Sequence, residues 1–159
     1  MEREEENAIG QMRIMVVEDE RIVAMDTEES LRGLGYLVCN VVGSGEEAIL
    51  SATRQSPDLV LMDIRLGGEI DGIKAAEVIR SKLDVPVIFL SAYSDHKTLN
   101  RAKRTGPFGY LLKPFKEDDL HVAIECALWR HEMEREATKK KPALRHSCAI
   151  RKKWKPSVS

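Results

Sequence analysis

Apolar residues in this chain come in short unbroken runs separated by stretches of helical period. The runs are RIMVV (13–17), YLVCNVV (36–42), DLVLM (58–62), VPVIFLS (85–91) and FGYLL (108–112). Several are apolar throughout instead of alternating with polar positions. A strand covered on one face alternates and a strand covered on both does not, so these runs predict parallel strands between layers of helix. Between the first two runs, residues 20–34 place Val23, Thr27, Leu31 and Leu34 along one stripe. Residues 44–47 read SGEE, a capping-box pattern that opens a second helix. Ile73, Ala76 and Ile79 mark a third helix, and Leu99 with Ala102 a shorter fourth. In the fifth, Leu120, Ala123, Ile124, Ala127 and Leu128 fall at i, i+3, i+4, i+7 and i+8, with Asp118 and Asp119 at its positive N-terminal end. Five strand-then-helix units predict right-handed crossovers and an α/β fold with a doubly wound parallel sheet.

Composition adds limits. A chain of 159 residues suits one domain with length to spare, and 43% hydrophobic residues can supply its core. The net charge of −1 singles out no partner, but the charges are unevenly spread. Residues 1–11 form an acidic extension (Glu2, Glu4, Glu5, Glu6) ahead of a domain expected over 12–130. Residues 131–159 form a helix extension and a basic tail. From residue 138 onward the tail has no acidic residue, two prolines (Pro142, Pro156) and too little apolar content for a second core, so disorder is expected there. Cys39, Cys126 and Cys148 have no metal-ligand spacing, and their odd number argues against a disulfide framework. No signal-peptide pattern and no apolar run of about 20 residues is present, so a reduced, cytoplasmic location is expected.

The chemistry gathers where the strands end. In an open α/β sheet, ligands bind outside the carboxyl ends of the strands. The first strand ends in VVEDE, which brings Glu18 and Asp19 to that rim; the third ends at Asp63, the fourth at Ser91 and the fifth in LLKP, with Lys113. Any one of these alone is more often a solvated loop residue, a cap or a snorkelling lysine. Four strands ending in complementary groups is a different matter. Clustered carboxylates favour a hard divalent cation bound through oxygen, and magnesium typically takes one or two carboxylates plus a phosphoryl oxygen. Asp19 and Asp63 can supply them, with Glu18 acting directly or through water. Ser91 and Lys113 then offer a phosphoryl group a hydrogen-bond donor and a positive charge. Asp63 can itself accept a phosphoryl group, since aspartyl phosphate is an established covalent form. A flavin or nucleotide site is excluded, because EDER puts carboxylates where a phosphate loop would be needed.

The motifs VVEDE, PDLVLMDI, Asp71–Gly72, PVIFLSA and GYLLKPF resemble, in order and approximate spacing, the receiver domain of two-component response regulators. The resemblance implies a flavodoxin-like five-stranded sheet of order 2-1-3-4-5 with helices on both faces. It implies Asp63 as phosphoacceptor and a Mg²⁺ site of Glu18, Asp19, Asp63 and the backbone carbonyl of Arg65. Ser91 is the implied switch hydroxyl, Tyr110 the aromatic switch and Lys113 the phosphate-pairing lysine, followed by a cis Lys113–Pro114 bond. A histidine kinase or phosphotransfer protein would donate the phosphoryl group. An unidentified downstream protein, or a homodimer formed through the fourth helix, fifth strand and fifth helix, would read the change. Such a protein is a switch and not an enzyme, beyond self-catalysed phosphotransfer and autodephosphorylation.

Three departures from the family pattern stand out. Glu18 is one methylene longer than the aspartate often found there. The loop DIRLGGEIDG has no proline and one extra residue, with Gly67 and Gly68 free to take unusual backbone angles. Arg65 and Tyr93 occupy the positions that tune phosphoryl lifetime, and their bulk predicts hindered hydrolysis. The alternative reading is a pseudo-receiver, an interaction module that works without phosphorylation. The basic tail offers nucleic acid or anionic lipid a surface, with Trp154 stacking or inserting, and a plainly solvated tail is the simpler expectation. The polar extension WRHEMEREA is compatible with a solvent-exposed stalk and with pairing to a second copy.

Overall fold

The computed structural model describes residues 11–92, 96–104 and 109–139. The acidic residues 1–10, Tyr93 and the tail from 140, with Cys148 and Trp154, lie outside the described residues, as does the side chain of Leu99. Five strands, β1 (Arg13–Val17), β2 (Leu37–Val42), β3 (Leu59–Asp63), β4 (Val87–Ala92) and β5 (Gly109–Lys113), form one sheet of order β2-β1-β3-β4-β5. Every pairing is parallel. The helices are α1 (Arg21–Gly33), α2 (Gly45–Gln55), α3 (Gly72–Lys82), α4 (His96–Arg104) and α5 (Glu117–Lys139). The expected doubly wound sheet and its 2-1-3-4-5 order are therefore present.

Successive strand side chains point to opposite faces, and the two faces meet different helices. Ile14, Val16, Leu59, Leu61, Ile88 and Leu90 pack with Leu31 of α1 and Leu120, Ile124 and Ala127 of α5. Met15, Val17, Val60, Met62, Val87 and Phe89 pack with Ala48 and Ala52 of α2, Ile73, Ala76 and Ile79 of α3, and Ala102 of α4. Both faces are dry, which is why the central strands carry no polar position until they end.

Helix ends follow their local chemistry. Ser44 caps α2, its Oγ accepting the backbone N–H of Glu47 at 3.1 Å. Asp71 caps α3 in the same way, accepting from Lys74 at 2.9 Å. These contacts satisfy N–H groups that a helix leaves without a partner. α5 begins with Glu117, Asp118 and Asp119 in its first turn. Strand limits differ from the sequence expectation by a residue or two: β2, β3, β4 and β5 start later than their apolar runs and β4 runs past Ser91 to Ala92, whereas β3 ends at Asp63 and β5 at Lys113 as expected.

Candidate functional site

Sheet geometry delivers three charged side chains to one place. Asp63 continues the alternation of Leu59 and Leu61, Lys113 continues that of Leu111, and Glu18 follows directly on β1. Glu18 and Asp63 are buried, at 3% and 5% exposure. Lys113 reaches between them, with Nζ 2.7 Å from Glu18 Oε1 and 3.3 Å from Asp63 Oδ2. Asp19 stands exposed beside them. Carboxylate oxygens of Glu18, Asp19 and Asp63 all lie within 4.8 Å of one another. Three formal negative charges thus face one ammonium group.

That imbalance is felt most by Asp63. Burial, then the hydrogen bond and charge of neighbouring Glu18, push its carboxyl up to about 7, and Lys113 offsets only part of this. For Lys113, burial works against the charge, yet the bond to Glu18 and the field of Asp63 outweigh it and raise its pKa. Both shifts describe a site that is one or two positive charges short. The donors are all hard oxygens at a partly open rim, with neither His nor Cys among them, which fits a small divalent cation of the magnesium type.

The remaining expected residues are placed as follows. Arg65 is tied to the site through its backbone N–H, which donates to Asp63 Oδ1 at 3.3 Å. Ser91 is buried, and its hydroxyl donates to the carbonyl of Ala92 at 3.1 Å, turned to its own strand and not to Asp63. Tyr110 is half-buried and packs against the α2–α3–α4 side of the core. The Lys113–Pro114 bond is cis. Of the two loop glycines, Gly68 takes a positive φ of 98°, a conformation that L side chains rarely adopt. Gly67 does not, so the expectation of unusual angles at both holds for one.

Three residues matter in ways the sequence did not announce. A Cβ on Gly72 would stand 2.0 Å from the carbonyl oxygen of Asp63, so only glycine lets α3 start this close to the end of β3. The Gly72 N–H also closes the extended loop onto the carbonyl of Ile64 at 2.9 Å. Asp71 accepts a second contact, from Arg101 Nη1 at 2.9 Å, which joins the start of α3 to α4. Glu18 is the nearer of the two carboxylates that hold Lys113.

Comparison with known proteins bears on this arrangement. The model for the response regulator receiver domain matches residues 14–125. The transcriptional regulatory protein PdtaR of Mycobacterium tuberculosis is 42% identical over 118 residues, which is 74% of this chain and 57% of that protein. The regulatory protein AtoC of Escherichia coli is 38% identical over 127 residues, 78% of this chain and 27% of that protein. The chain therefore spans little more than half the length of PdtaR and about a quarter of AtoC. Among solved structures, the signal receiver domain of a modulated diguanylate cyclase from Desulfovibrio desulfuricans G20 is similar with a TM-score of 0.75 at 40% identity, over 78% of this chain and 98% of that one.

Proposed function

The chain belongs to the response regulator receiver domain family, whose members work in phosphorylation-dependent signalling, and from that premise we propose that Asp63 is the residue phosphorylated here. The observation that carries the proposal is a buried carboxylate at the end of β3, held between Lys113 and two further carboxylates. The donor is the phosphohistidine of a histidine kinase or phosphotransfer protein. An Asp63 carboxylate oxygen attacks phosphorus, the P–N bond breaks, and the imidazole leaves with its electron pair and takes up a proton. Glu18, Asp19, Asp63 and the Arg65 carbonyl would hold Mg²⁺. When bound, the ion neutralises charge that develops on the phosphoryl oxygens.

The chain's own residues do the rest. Lys113 is pinned by Glu18 with its ammonium already 3.3 Å from Asp63, so it can follow the phosphoryl oxygens without leaving the site. Ser91 must give up its bond to the Ala92 carbonyl to donate to the phosphoryl group. That exchange, with Tyr110 turning further inward, alters the face made by α4, β5 and α5 and its preference for a downstream protein or a second copy. On this reading the chain is a switch and not an enzyme beyond catalysing its own phosphorylation and dephosphorylation, and its place is the cytoplasm. No described helix is long and apolar enough to cross a membrane. Nucleic acid or anionic lipid as partners of the basic tail rest on its sequence alone.

The competing reading, a pseudo-receiver, lacks support from the site, because every charged group the chemistry needs is present. Transfer from phosphorylated histidine kinases, with and without a chelator, tests the proposal. Rapid, chelator-sensitive labelling from one kinase is expected; no Mg²⁺ binding at millimolar concentration and no labelling from any kinase would favour the interaction module.

A further inference from the structure

α5 is longer than the sheet it covers. Its 23 residues span roughly 34 Å at 1.5 Å per residue, whereas strands of five or six residues span roughly 17–20 Å. Leu120, Ile124 and Ala127 pack on the sheet, and residues 128–135 of the helix wall an open cavity of about 600 Å³. Met12, Tyr36, Asp58 and Asp84, which also line it, each stand just before a strand. The cavity therefore lies at the end of the sheet opposite Asp63.

Its lining is acidic. Asp58, Asp84, Glu125 and Glu132 face it against one guanidinium, Arg135, while His121 and His131 add charge only when protonated. The carboxylates are held in place more than they are neutralised. Asp58 accepts from the backbone N–H of Arg13 at 2.8 Å, and Glu125 accepts from the Tyr36 hydroxyl, both uncharged donors. Asp84 pairs with His131 at 3.0 Å and with Arg135 at 3.8 Å. A carboxylate has lone pairs to spare for a further donor.

We propose that the chain's own basic tail occupies this cavity, with residues 151–155 (RKKWK) lying against α5. Residues 140–159 carry seven Lys or Arg and no Asp or Glu, the complement of the lining. They leave α5 four residues past Arg135, so docking is intramolecular and needs little intrinsic affinity. The reach suffices: the twelve residues from Lys139 to Arg151 extend up to roughly 40 Å, and Glu125 lies roughly 21 Å back along the helix. A cavity of this size admits an indole, and Leu34, Tyr36 and Leu128 offer Trp154 an apolar wall. Residues 1–10 also lead to the cavity, through Met12, but Glu2, Glu4, Glu5 and Glu6 would meet like charge there. A docked tail keeps its charge off other polyanions until one outcompetes the cavity.

The contact needs no phosphoryl group, so it goes beyond the signalling reading and stands or falls separately. Zero-length carbodiimide coupling of the full chain, followed by peptide mapping of the monomer fraction, reads it directly. Amide links from Lys152, Lys153 or Lys155 to Glu125, Glu132, Asp58 or Asp84 are expected. They should be lost in about 1 M NaCl, where charges are screened within about 3 Å. Acrylamide quenching gives a second readout, since Trp154→Phe leaves Trp129, 48% exposed, as the lone reporter at the cavity. Its quenching should rise when residues 140–159 are deleted and in Glu132→Lys, whereas Glu77→Lys on α3 should change nothing. The crosslink is read on the unaltered chain, so it decides the matter even where a variant fails to fold. Links only between chains, links only to residues 1–10, or no links at all would overturn the proposal. So would quenching of Trp129 that is indifferent to the tail, or protection that appears only when DNA or another protein is added.

Discussion

Asp63 is ionised at neutral pH only against resistance from its surroundings. Its carboxyl is raised from 3.8 to about 7, chiefly by burial and next by Glu18. A carboxyl raised in the folded state is a stability debit that is absent below its unfolded pKa. The debit grows as pH climbs toward the folded value and is constant above it. Asp63→Asn removes the charge and keeps the shape, and its amide can donate to Glu18. Without added metal, its melting temperature should exceed that of the unaltered chain at pH 8 by several degrees, at roughly 2–4 °C per kcal/mol for a chain of this size. The gap should close by pH 4, and thermal scans across that range read it. Lys113→Ala has the opposite sign, since it strands Glu18 and Asp63 without a counter-charge. It should cost about 2–4 kcal/mol in urea denaturation at neutral pH, the lysine being partly open to solvent. The identities of these residues were legible from the strand ends. Their pairing was not: Lys113 and Glu18 are 95 positions apart, and no local pattern says that the lysine leans first on Glu18 and only then on Asp63.

The strands and helices were largely legible because dry faces and capped ends leave local traces. Leu59 to Met62 are fully buried, and an all-apolar run is what double coverage demands. A boundary slipped by a residue where the ladder continues past the expected end, as at Ala92, which pairs with Lys113. The loop between β3 and α3 was the hardest to read, since its shape is set through space. Leu66 and Ile70 pack onto the core beneath α2 and α3, Gly68 turns beside the Glu46 carboxylate, and Gly72 passes against the Asp63 carbonyl. This explains how an extra residue and a missing proline are accommodated. Gly72→Ala should therefore destabilise the fold by more than about 2 kcal/mol, because backbone must move to admit the methyl group. Asp71 separates two roles. Loss of its cap in Asp71→Ala should cost ~1 kcal/mol, whereas Arg101→Ala, which removes only the exposed ion pair, should cost well under that. Equal losses in chemical denaturation would show that the link to α4, and not the cap, is what Asp71 supplies.

For the whole molecule, the sheet makes a rim where charge collects. The rim was foreseen from the order of motifs. A rim short of positive charge should bind a divalent cation, and binding to the folded state alone raises stability by RT ln(1 + [L]/Kd), about 1.4 kcal/mol at ten times Kd. Millimolar Mg²⁺ should raise the melting temperature of the unaltered chain, and raise it less in Asp19→Asn. The central claim is that Asp63 takes a phosphoryl group with help from that cation, and intact-mass spectrometry after incubation with a small-molecule phosphodonor and Mg²⁺ tests it most directly. The account predicts a single added phosphoryl group on the unaltered chain, lost when the metal is chelated and absent from Asp63→Asn. No adduct under any condition, or an adduct that Asp63→Asn retains, would contradict it.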